Sequence, residues 1–242
     1  MSNRSIHTLL KNWDEECPLT REEAVEVLNL PEEEMDSLME CAYALRTKYK
    51  GKKVSVQLLT NVRSGNCTQN CAYCAQSKDS QAEIEKYKRV SDEKLYGDND
   101  LVDEKHLARH CIGLSGIGFS DEEIEDLADR IREMKKKDTQ ICCSIGFLTE
   151  KQARILKDAG LDRINHNLNS SRSFYPEICT THTYDQRVNN IKMLQSLGFE
   201  ICSGGIVGMG ESKEDIVDML MDLREINPES VPINFLLPIP GT

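Results

Sequence analysis

Three cysteines stand close together in the sequence, in the run Cys67-Thr-Gln-Asn-Cys71-Ala-Tyr-Cys74. Thiolates at this spacing can hold three corners of an iron–sulfur cube and leave the fourth iron open to another ligand. An open coordination position is typical of a catalytic or substrate-binding site rather than a purely structural one. A zinc site completed by a histidine or a fourth cysteine is the alternative that the spacing leaves open.

Three further cysteines fall on three different predicted strands. Because strand side chains alternate between two faces, Cys111, Cys142 and Cys202 lie on the faces that carry small and polar residues. Their neighbours Ile112 and Cys143 lie on the opposite faces, which we expect to pack against helices. In a barrel the polar faces point inward and line a cavity near the carboxyl ends of the strands. The three thiols therefore suggest a second metal or cluster site, with three buried free cysteines as the alternative.

A row of asparagines gives the same predicted interior a polar stripe. Asn165, Asn167 and Asn169 alternate along one segment, and Asn234 lies on the last predicted strand. Buried amides destabilise a dry core unless they are hydrogen-bonded. Because an amide both donates and accepts, the row suits a neutral urea-like or amide-like ligand, and a self-satisfied structural network is the alternative. Alternation turns His110 away from this interior, so we expect it to be structural.

The elements that must position these residues begin with an N-terminal helical segment. Thr20-Arg-Glu-Glu forms a capping-box pattern, Pro31 opens a second helix, and Gly51 ends it. Beyond it, predicted strands and helices alternate, which indicates a parallel α/β sheet, either doubly wound or a barrel. The predicted strands cover 54–62, 109–114, 139–146, 162–168, 199–207 and 231–237, and the predicted helices 121–135, 149–159, 184–197 and 213–225. Segment 75–108 has no clean apolar period and is predicted to be an irregular crossover or functional loop.

The composition narrows the class of protein. The 242 residues include 41 acidic and 30 basic residues, for a formal net charge of −11, and 10 cysteines. An acidic surface disfavours broad nucleic-acid binding, and we expect no nucleic-acid partner. No apolar run is long enough for a membrane span, and the start has no apolar secretory stretch, which predicts a cytoplasmic protein. Reduced thiols in such a protein more often serve metal sites or catalysis than disulfides.

The three-cysteine run resembles that of the radical S-adenosylmethionine (SAM) superfamily. In that superfamily a [4Fe-4S] cluster binds the methionine part of SAM through its open iron and cleaves it reductively to a 5′-deoxyadenosyl radical. Tyr73 matches the aromatic residue that packs on adenine there. Gly204, Ile206 and Gly208, in the pattern Gly204-x-Ile-x-Gly208-x-x-Glu211, match the adenine-contact motif on the fifth strand.

Longer blocks of sequence resemble the biotin synthase family. They are Asn66-Cys-Thr-Gln-Asn-Cys-Ala-Tyr-Cys-Ala-Gln-Ser77, Asn165-His-Asn-Leu168, Ile178-Cys-Thr-Thr-His-Thr-Tyr-Asp-Gln-Arg187, Cys202-Ser-Gly-Gly-Ile-Val-Gly-Met-Gly-Glu211 and Ser230-Val-Pro-Ile-Asn-Phe-Leu236. The resemblance runs from about residue 54 to the end. It implies a sulfurtransferase that inserts sulfur into dethiobiotin to make biotin, with two SAM molecules consumed. It also implies a homodimeric barrel reduced by a flavodoxin or ferredoxin.

The same resemblance implies roles for individual residues. Cys67, Cys71 and Cys74 would hold the [4Fe-4S] cluster, and Cys111, Cys142 and Cys202 an auxiliary iron–sulfur cluster that donates the sulfur. Asn165, Asn167 and Asn234 would contact the substrate ureido ring and the nucleoside, and Asn167, Asn169 and Arg187 would contact SAM, with Arg187 at its carboxylate. Cys17, Cys41 and Cys179 are expected to be structural or incidental.

The sequence departs from the family pattern at several points. The family's fourth auxiliary ligand, an arginine on the eighth strand, has no counterpart here, so the auxiliary cluster could be [2Fe-2S] or another form. Asn169 replaces an aspartate and His182 replaces an arginine. Segment 75–108 is expected to lack the family's regular first helix.

The fold predicted from these patterns is a TIM-type (βα) barrel with an N-terminal helical extension. Residues 1–51 form the extension and 52–242 the barrel, of which about six of eight strands are expected. Because the last strand has no helix after it, we expect another chain segment to cover the sheet, and we do not expect the segment alone to be stable or active. Two other functions stay open at this point, another radical SAM barrel enzyme such as a hydrogenase-cofactor maturase, and a non-enzymatic iron–sulfur or zinc protein.

Overall fold

The computed structural model describes residues 18–242, so Cys17 lies outside the described part. Its first elements are helix α1 (Arg21–Leu28), a 3-10 turn (Glu32–Glu34) and helix α2 (Met35–Lys50). The predicted capping box is confirmed, since the Thr20 hydroxyl accepts from the Glu23 amide and the Glu23 carboxylate accepts from the Thr20 amide. Gly51 follows α2 with a φ of 62°, in the region that favours glycine.

Seven parallel strands form the sheets. Five of them make one sheet in sequence order, β1 (Gln57–Arg63), β2 (Arg109–Leu114), β3 (Ile141–Ser144), β4 (Arg163–Asn165) and β5 (Glu200–Cys202). A second sheet pairs β6 (Gly205–Val207) with β7 (Ile233–Phe235). Single bridges join Asn169 to Gly205 and Cys202 to Ser230, so the second sheet continues from the first. The predicted parallel α/β architecture is confirmed.

Helices connect the strands and begin at well-formed caps. They are α3 (Asp92–Glu104), α4 (Asp121–Met134), α5 (Glu150–Asp158), α6 (Tyr175–Ile178), α7 (Tyr184–Ser196) and α8 (Lys213–Ile226). In five of these helices a Ser or Thr hydroxyl accepts the amide of the third helical residue, which satisfies one of the amides left free at a helix start. The caps fix where the loops end, and these loops carry the site residues.

Two sequence predictions are corrected by the structure. Segment 75–108 is not irregular throughout, because α3 occupies its second half. The helical spacing of its apolar residues is interrupted by Asp98 and Asn99, two polar residues on the buried face of the helix. Their side chains bond to Thr60 and to the Met134 carbonyl. The strand predicted over 199–207 is divided into β5 and β6 at residues 203–204.

The division of that strand has a steric cause. The Gly204 backbone lies directly against the Pro232 carbonyl, and a Cβ at residue 204 would come within 1.8 Å of that oxygen. The Ser203 amide donates to the Ser230 carbonyl, and the Gly205 amide donates to that of Pro232. The chain therefore changes partner from β4 to the segment that leads into β7.

The core lies between the five-stranded sheet and its helices. Ile112, Ile141, Ile164 and Ile201, one from each of four adjacent strands, are completely buried there. Cys143 lies in the same core, whereas Cys111 on the opposite face of β2 is half-buried. The alternation of faces predicted for β2 and β3 is confirmed. Within residues 18–242, every helix is too short or too polar to cross a lipid bilayer.

Candidate active site

The loop after β1 presents the three closely spaced cysteines. Cys71 is buried, and Cys67 and Cys74 are half-buried. The Cys74 amide donates to the Cys71 carbonyl, at 3.1 Å, which makes a tight turn between two of the thiols. The side chain of Asn70 fastens the loop to the segment after α6, because its Oδ1 accepts the amides of Thr180 and Thr181 at 3.0 and 3.2 Å. These hydrogen bonds tie the cysteine loop to the segment after α6.

A cavity of about 270 Å³ lies at the carboxyl ends of the strands, next to this loop. It brings together many of the predicted site residues from the loop, from the end of β4 and the segment after it, from α7 and from β6. These lining residues are Cys67, Cys71, Tyr73, Cys74, Asn165, Asn167, Asn169, Arg187 and Ile206. The position agrees with the general rule that parallel α/β sheets bind ligands at this edge.

Arg187 is the one of these residues that carries a permanent charge. Its guanidinium donates to the Tyr175 hydroxyl, to the Asn167 carbonyl at 3.0 Å and to His182 Nε2 at 2.8 Å. Burial and the charge of Arg187 lower the pKa of His182 to about 4, so this imidazole is neutral and can accept that bond. Among residues 18–242 no carboxylate forms an ion pair with Arg187. Its charge is therefore available to an anionic ligand.

The asparagine side chains form a connected row. Asn165 Nδ2 donates to Asn167 Oδ1 at 3.3 Å and to Cys202 Sγ at 3.1 Å, while its Oδ1 accepts from the Ser144 hydroxyl. Asn167 Oδ1 also accepts the Gly204 amide, at 3.1 Å. One amide, that of Asn165, thus links the cavity to a cysteine of the second group.

Asn169 shows why an amide is suitable at its position. Its φ is 73°, in the left-handed region that asparagine tolerates better than most residues. Its amide donates to the Gly204 carbonyl and its carbonyl accepts the Ile206 amide, at 3.0 and 2.9 Å. The residue therefore holds β6 in place through its backbone.

The second group of cysteines lies deeper in the sheet. Cys111 and Cys142 are partners in the β2–β3 register, and Asn165 and Cys202 are partners between β4 and β5. Cys111 Sγ donates to Gln57 Oε1 at 2.9 Å. The interaction between the Cys111 and Cys142 thiols lowers the pKa of Cys111 and raises that of Cys142. A charge on Cys202 also raises the pKa of Cys142, as expected of neighbouring thiols.

Basic residues surround this second group. Arg109 and Arg163 precede Cys111 and Asn165 by two residues on the same strand faces, and their positive charges help to lower the pKa of Cys111. Both guanidiniums also pair with Glu200, at 3.1 and 2.7 Å. At Cys111 the surroundings therefore favour the thiolate, the form that binds metals.

Six predicted site residues lie apart from the cavity wall, namely the second group of cysteines together with Asn234, Gly204 and Gly208. Asn234 is exposed on β7, opposite Ile206 in the register, and Gly204 packs against Pro232. Gly208 follows β6 with a φ of 103°, and its amide donates to Glu211. Asn234, Gly204 and Gly208 lie beside the site and do not line the cavity.

His110 lies on the other face of the sheet, as predicted. It is completely buried, and its ring contacts the Thr60 hydroxyl at 2.8 Å and the side-chain oxygen of Asn99 at 3.2 Å. The prediction of a structural role is confirmed.

Sequence reasoning missed three residues of this site: His166 and His182, which line the cavity, and Cys179, which contacts the lining residue Cys71. Cys179, expected to be incidental, has its Sγ 3.8 Å from Cys71 Sγ, and His182 Nδ1 lies 3.3 Å from Cys179 Sγ. The Cys-x-x-His spacing of these two residues was the signal that could have found them. His166 also reaches the cavity, where its ring contacts Phe147 edge-on at 5.1 Å between centroids.

Comparison with known proteins identifies the class. The model of the radical SAM superfamily matches residues 61–223. The structure of methylornithine synthase superposes with a TM-score of 0.85 at 18% identity, covering 97% of this chain and 68% of that one. The hydrogenase maturase HydG from Carboxydothermus hydrogenoformans superposes with a TM-score of 0.81 at 20% identity, covering 96% and 56%. The chain is a radical SAM enzyme.

Sequence relatives narrow the class further. Biotin synthase of Geobacillus kaustophilus is 41% identical over 225 residues, which are 93% of this chain and 68% of that protein. Biotin synthase of Bacillus subtilis strain 168 is 40% identical over the same length, covering 93% and 67%. The chain belongs to the biotin synthase family, and it spans about two thirds of the length of these relatives. A maturase function is not favoured, because the likeness to HydG extends to the fold alone.

Proposed function

We propose that this chain inserts sulfur into dethiobiotin to make biotin, with two clusters held by the two groups of cysteines. The observation that carries the proposal is the shared cavity. Three thiols of one loop, an unpaired arginine and a row of amides face the same space of about 270 Å³. A zinc-stabilised interaction protein would need no such row of amides and no unpaired buried charge.

The cysteine loop fits a [4Fe-4S] cluster. Cys67, Cys71 and Cys74 all line the cavity, and none of the three is bonded in a disulfide. Burial, together with the nearby Cys179, raises the pKa of Cys71 to about 12, so the thiol is uncharged until a metal replaces its proton. When bound, the cluster would supply the electron that cleaves the sulfonium of SAM.

The surrounding residues can bind and orient SAM. Arg187 offers its charge to the methionine carboxylate, and Asn167 holds that guanidinium through its backbone carbonyl. Tyr73 and Ile206 line the cavity as apolar surfaces suited to adenine, and Asn169 stands where a ribose contact is expected. Asn165 would bind the ureido group of the substrate, because its amide can both donate and accept.

The second group of cysteines would supply the sulfur. Cys111 and Cys142 come from the adjacent strands β2 and β3, and Cys202 comes from β5, on the far side of β4. The electrostatic effect of both other thiols on Cys142 supports a common cluster at this group. Arg109 and Arg163 would balance the negative charge of an auxiliary iron–sulfur cluster there, [2Fe-2S] or another form. Asn165, hydrogen-bonded to Cys202, would orient a bound substrate toward this sulfur source.

The proposal includes the wider setting of the enzyme. The parallel strands and their outer helices support a TIM-type (βα) barrel, of which this chain supplies the cavity-lining strands. A flavodoxin or ferredoxin would provide the electrons. A homodimer in the cytoplasm is the form that we expect from the family. The division into residues 1–51 and 52–242 stays a prediction.

The test is an anaerobic reconstitution with iron and sulfide, followed by reductant, SAM and dethiobiotin. The strand count predicted an inactive segment, but the described residues already line a cavity of about 270 Å³, so we expect 5′-deoxyadenosine together with 9-mercaptodethiobiotin and biotin. Absence of 5′-deoxyadenosine from a chain that has gained its first cluster would contradict a radical SAM reaction. Formation of 5′-deoxyadenosine with no sulfur-containing product would contradict the substrate.

A matched pair of variants separates the two groups of cysteines. Cys67→Ala should abolish the formation of 5′-deoxyadenosine, because the first cluster loses a ligand. Cys202→Ala should still form 5′-deoxyadenosine and give no biotin. The same loss in both variants would show that the two groups do not act separately.

A further inference from the structure

Cys71, Cys179 and His182 form a compact group of metal-binding side chains, of which the proposed clusters use only Cys71. All three are buried, and their Sγ and ring nitrogen atoms lie within 4.8 Å of one another. The two sulfurs are 3.8 Å apart, and Cys179 Sγ lies 3.3 Å from His182 Nδ1. Cys179 directly follows α6, which brings it across the cysteine loop.

These separations fit tetrahedral zinc. With Zn–S bonds of about 2.3 Å and Zn–N bonds of about 2.0 Å, two sulfurs should be about 3.8 Å apart and a sulfur and a nitrogen about 3.5 Å apart. Two thiols and one imidazole are among the commonest donors to zinc. Two of the three donor separations therefore already match a tetrahedral site, and the third, between Cys71 Sγ and His182, is within 4.8 Å.

The surroundings of the three ligands support the same geometry. Gln69 Oε1 lies 2.9 Å from His182 Nδ1, where it can serve as a fourth ligand or bond to a metal-bound water. The Tyr175 hydroxyl, 2.8 Å from His182 Nε2, helps to hold the imidazole with Nδ1 toward Cys179. The loop and the segment after α6 are already joined through Asn70.

We propose that the cluster-free chain binds one Zn²⁺ at Cys71, Cys179 and His182. Binding forms two Zn–S bonds and one Zn–N bond, and it releases the protons of the two thiols to solvent. Because Cys71 is shared, zinc at this site removes a ligand from the loop of Cys67 and Cys74. Zinc and the [4Fe-4S] cluster then exclude each other, a consequence that rests on the proposed function.

The first experiment tests the metal site without any iron. The full chain is prepared reduced and cluster-free, then titrated with Zn²⁺ against a chromophoric chelator, and with Co²⁺ to record thiolate-to-metal charge-transfer absorption. Cys179→Ala and His182→Gln should each bind one tight equivalent of Zn²⁺ fewer than the parent chain. The matched control Cys41→Ala, a cysteine on α2, should lose none.

Cysteines outside the proposed site also bind metal, and all the variants share this background. The number of tightly bound Zn²⁺ equivalents is therefore compared between variants. If Cys67→Ala loses the equivalent and Cys179→Ala keeps it, zinc sits in the loop triplet and the proposal is wrong. Far-UV circular dichroism of each variant checks the fold, and agreement between Cys179→Ala and His182→Gln guards against one misfolded variant. Full zinc binding by both of them would equally overturn the site.

The second experiment tests the exclusion. Iron and sulfide are added to the parent and to Cys179→Ala, each with and without bound Zn²⁺, and cluster absorption is followed. Zinc should suppress the cluster in the parent and have little effect in Cys179→Ala. Equal cluster formation in the parent with and without zinc would overturn the exclusion. Failure of the zinc-free parent to form a cluster would instead contradict the proposed function, and the zinc titration would stand.

Discussion

Burial of His166 should make the free energy of unfolding depend on pH. The side chain is buried, and its hydrogen bond to the Ile145 carbonyl leaves Nε2 with no partner among the described residues. Burial lowers the pKa of His166 from 6.5 to about 3, and the nearby charges of Arg187 and His182 add to this effect. The ring is therefore neutral in the folded chain throughout the usual pH range.

The direction of the pH dependence follows from the pKa of His166 in the unfolded chain and in the folded chain. Between pH 6.5 and 3 the unfolded chain binds a proton at this histidine and the folded chain does not. The contribution of His166 to the free energy of unfolding is thus fully present above pH 6.5 and is lost as the pH falls towards 3. Between pH 7 and pH 5 the unfolded histidine gains most of its proton, which costs about 2 kcal/mol of unfolding free energy.

The assay is urea unfolding of the reduced chain at pH 7 and pH 5, followed by far-UV circular dichroism. His166→Gln removes the titrating ring, so the parent should lose about 2 kcal/mol more than the variant over this pH interval. Contributions from the other histidines cancel in that difference. Equal losses in the two proteins would refute the reasoning, because they would mean that His166 is protonated alike in the folded and unfolded chains.

Three further predictions concern the cluster site and the fold. Cys142→Ala should remove the iron beyond the first cluster and abolish sulfur transfer, whereas its neighbour Cys143→Ala should keep both, and Mössbauer spectra with the reverse pattern would contradict the assignment of faces. Gly204→Ala should lose at least about 1–3 kcal/mol in urea unfolding, because the new Cβ would meet the Pro232 carbonyl. Gly97→Ala, in open space on α3, should gain about 0.5–1 kcal/mol and serves as its control. Ser120→Ala should lose about 1 kcal/mol in the same measurement, because α4 loses its cap, and an unchanged midpoint would show that the capping box contributes nothing.

The features that the sequence predicted well follow from local geometry. Alternation along a strand is fixed by the backbone, so it separated Cys142 from Cys143 although the two residues have the same chemistry. Helix caps are equally local, since a hydroxyl and an amide three residues later decide them, as at Ser120. These patterns needed no knowledge of distant neighbours.

The features that the sequence did not predict depend on contacts between distant segments. Helix α3 buries Asp98 and Asn99, whose polar groups bond to Thr60, His110 and the Met134 carbonyl on other segments, and to Lys94 on the same helix. Cys179 lies 108 residues from Cys71 in the chain, so nothing in its own surroundings marks it as a neighbour of the cysteine loop. Tertiary contacts override the local pattern in both cases.

The contact between α1 and α8 has a kinetic consequence. Arg21 on α1 pairs with Asp218 on α8, 197 residues further along the chain, and Arg224 donates to the Leu19 carbonyl, 205 residues back. Contacts of such long separation form late, because nearly the whole chain must first be brought into order. Removing these two contacts should therefore speed unfolding and leave the folding rate almost unchanged. We expect helix α1 to prolong the lifetime of the folded structure without accelerating its formation.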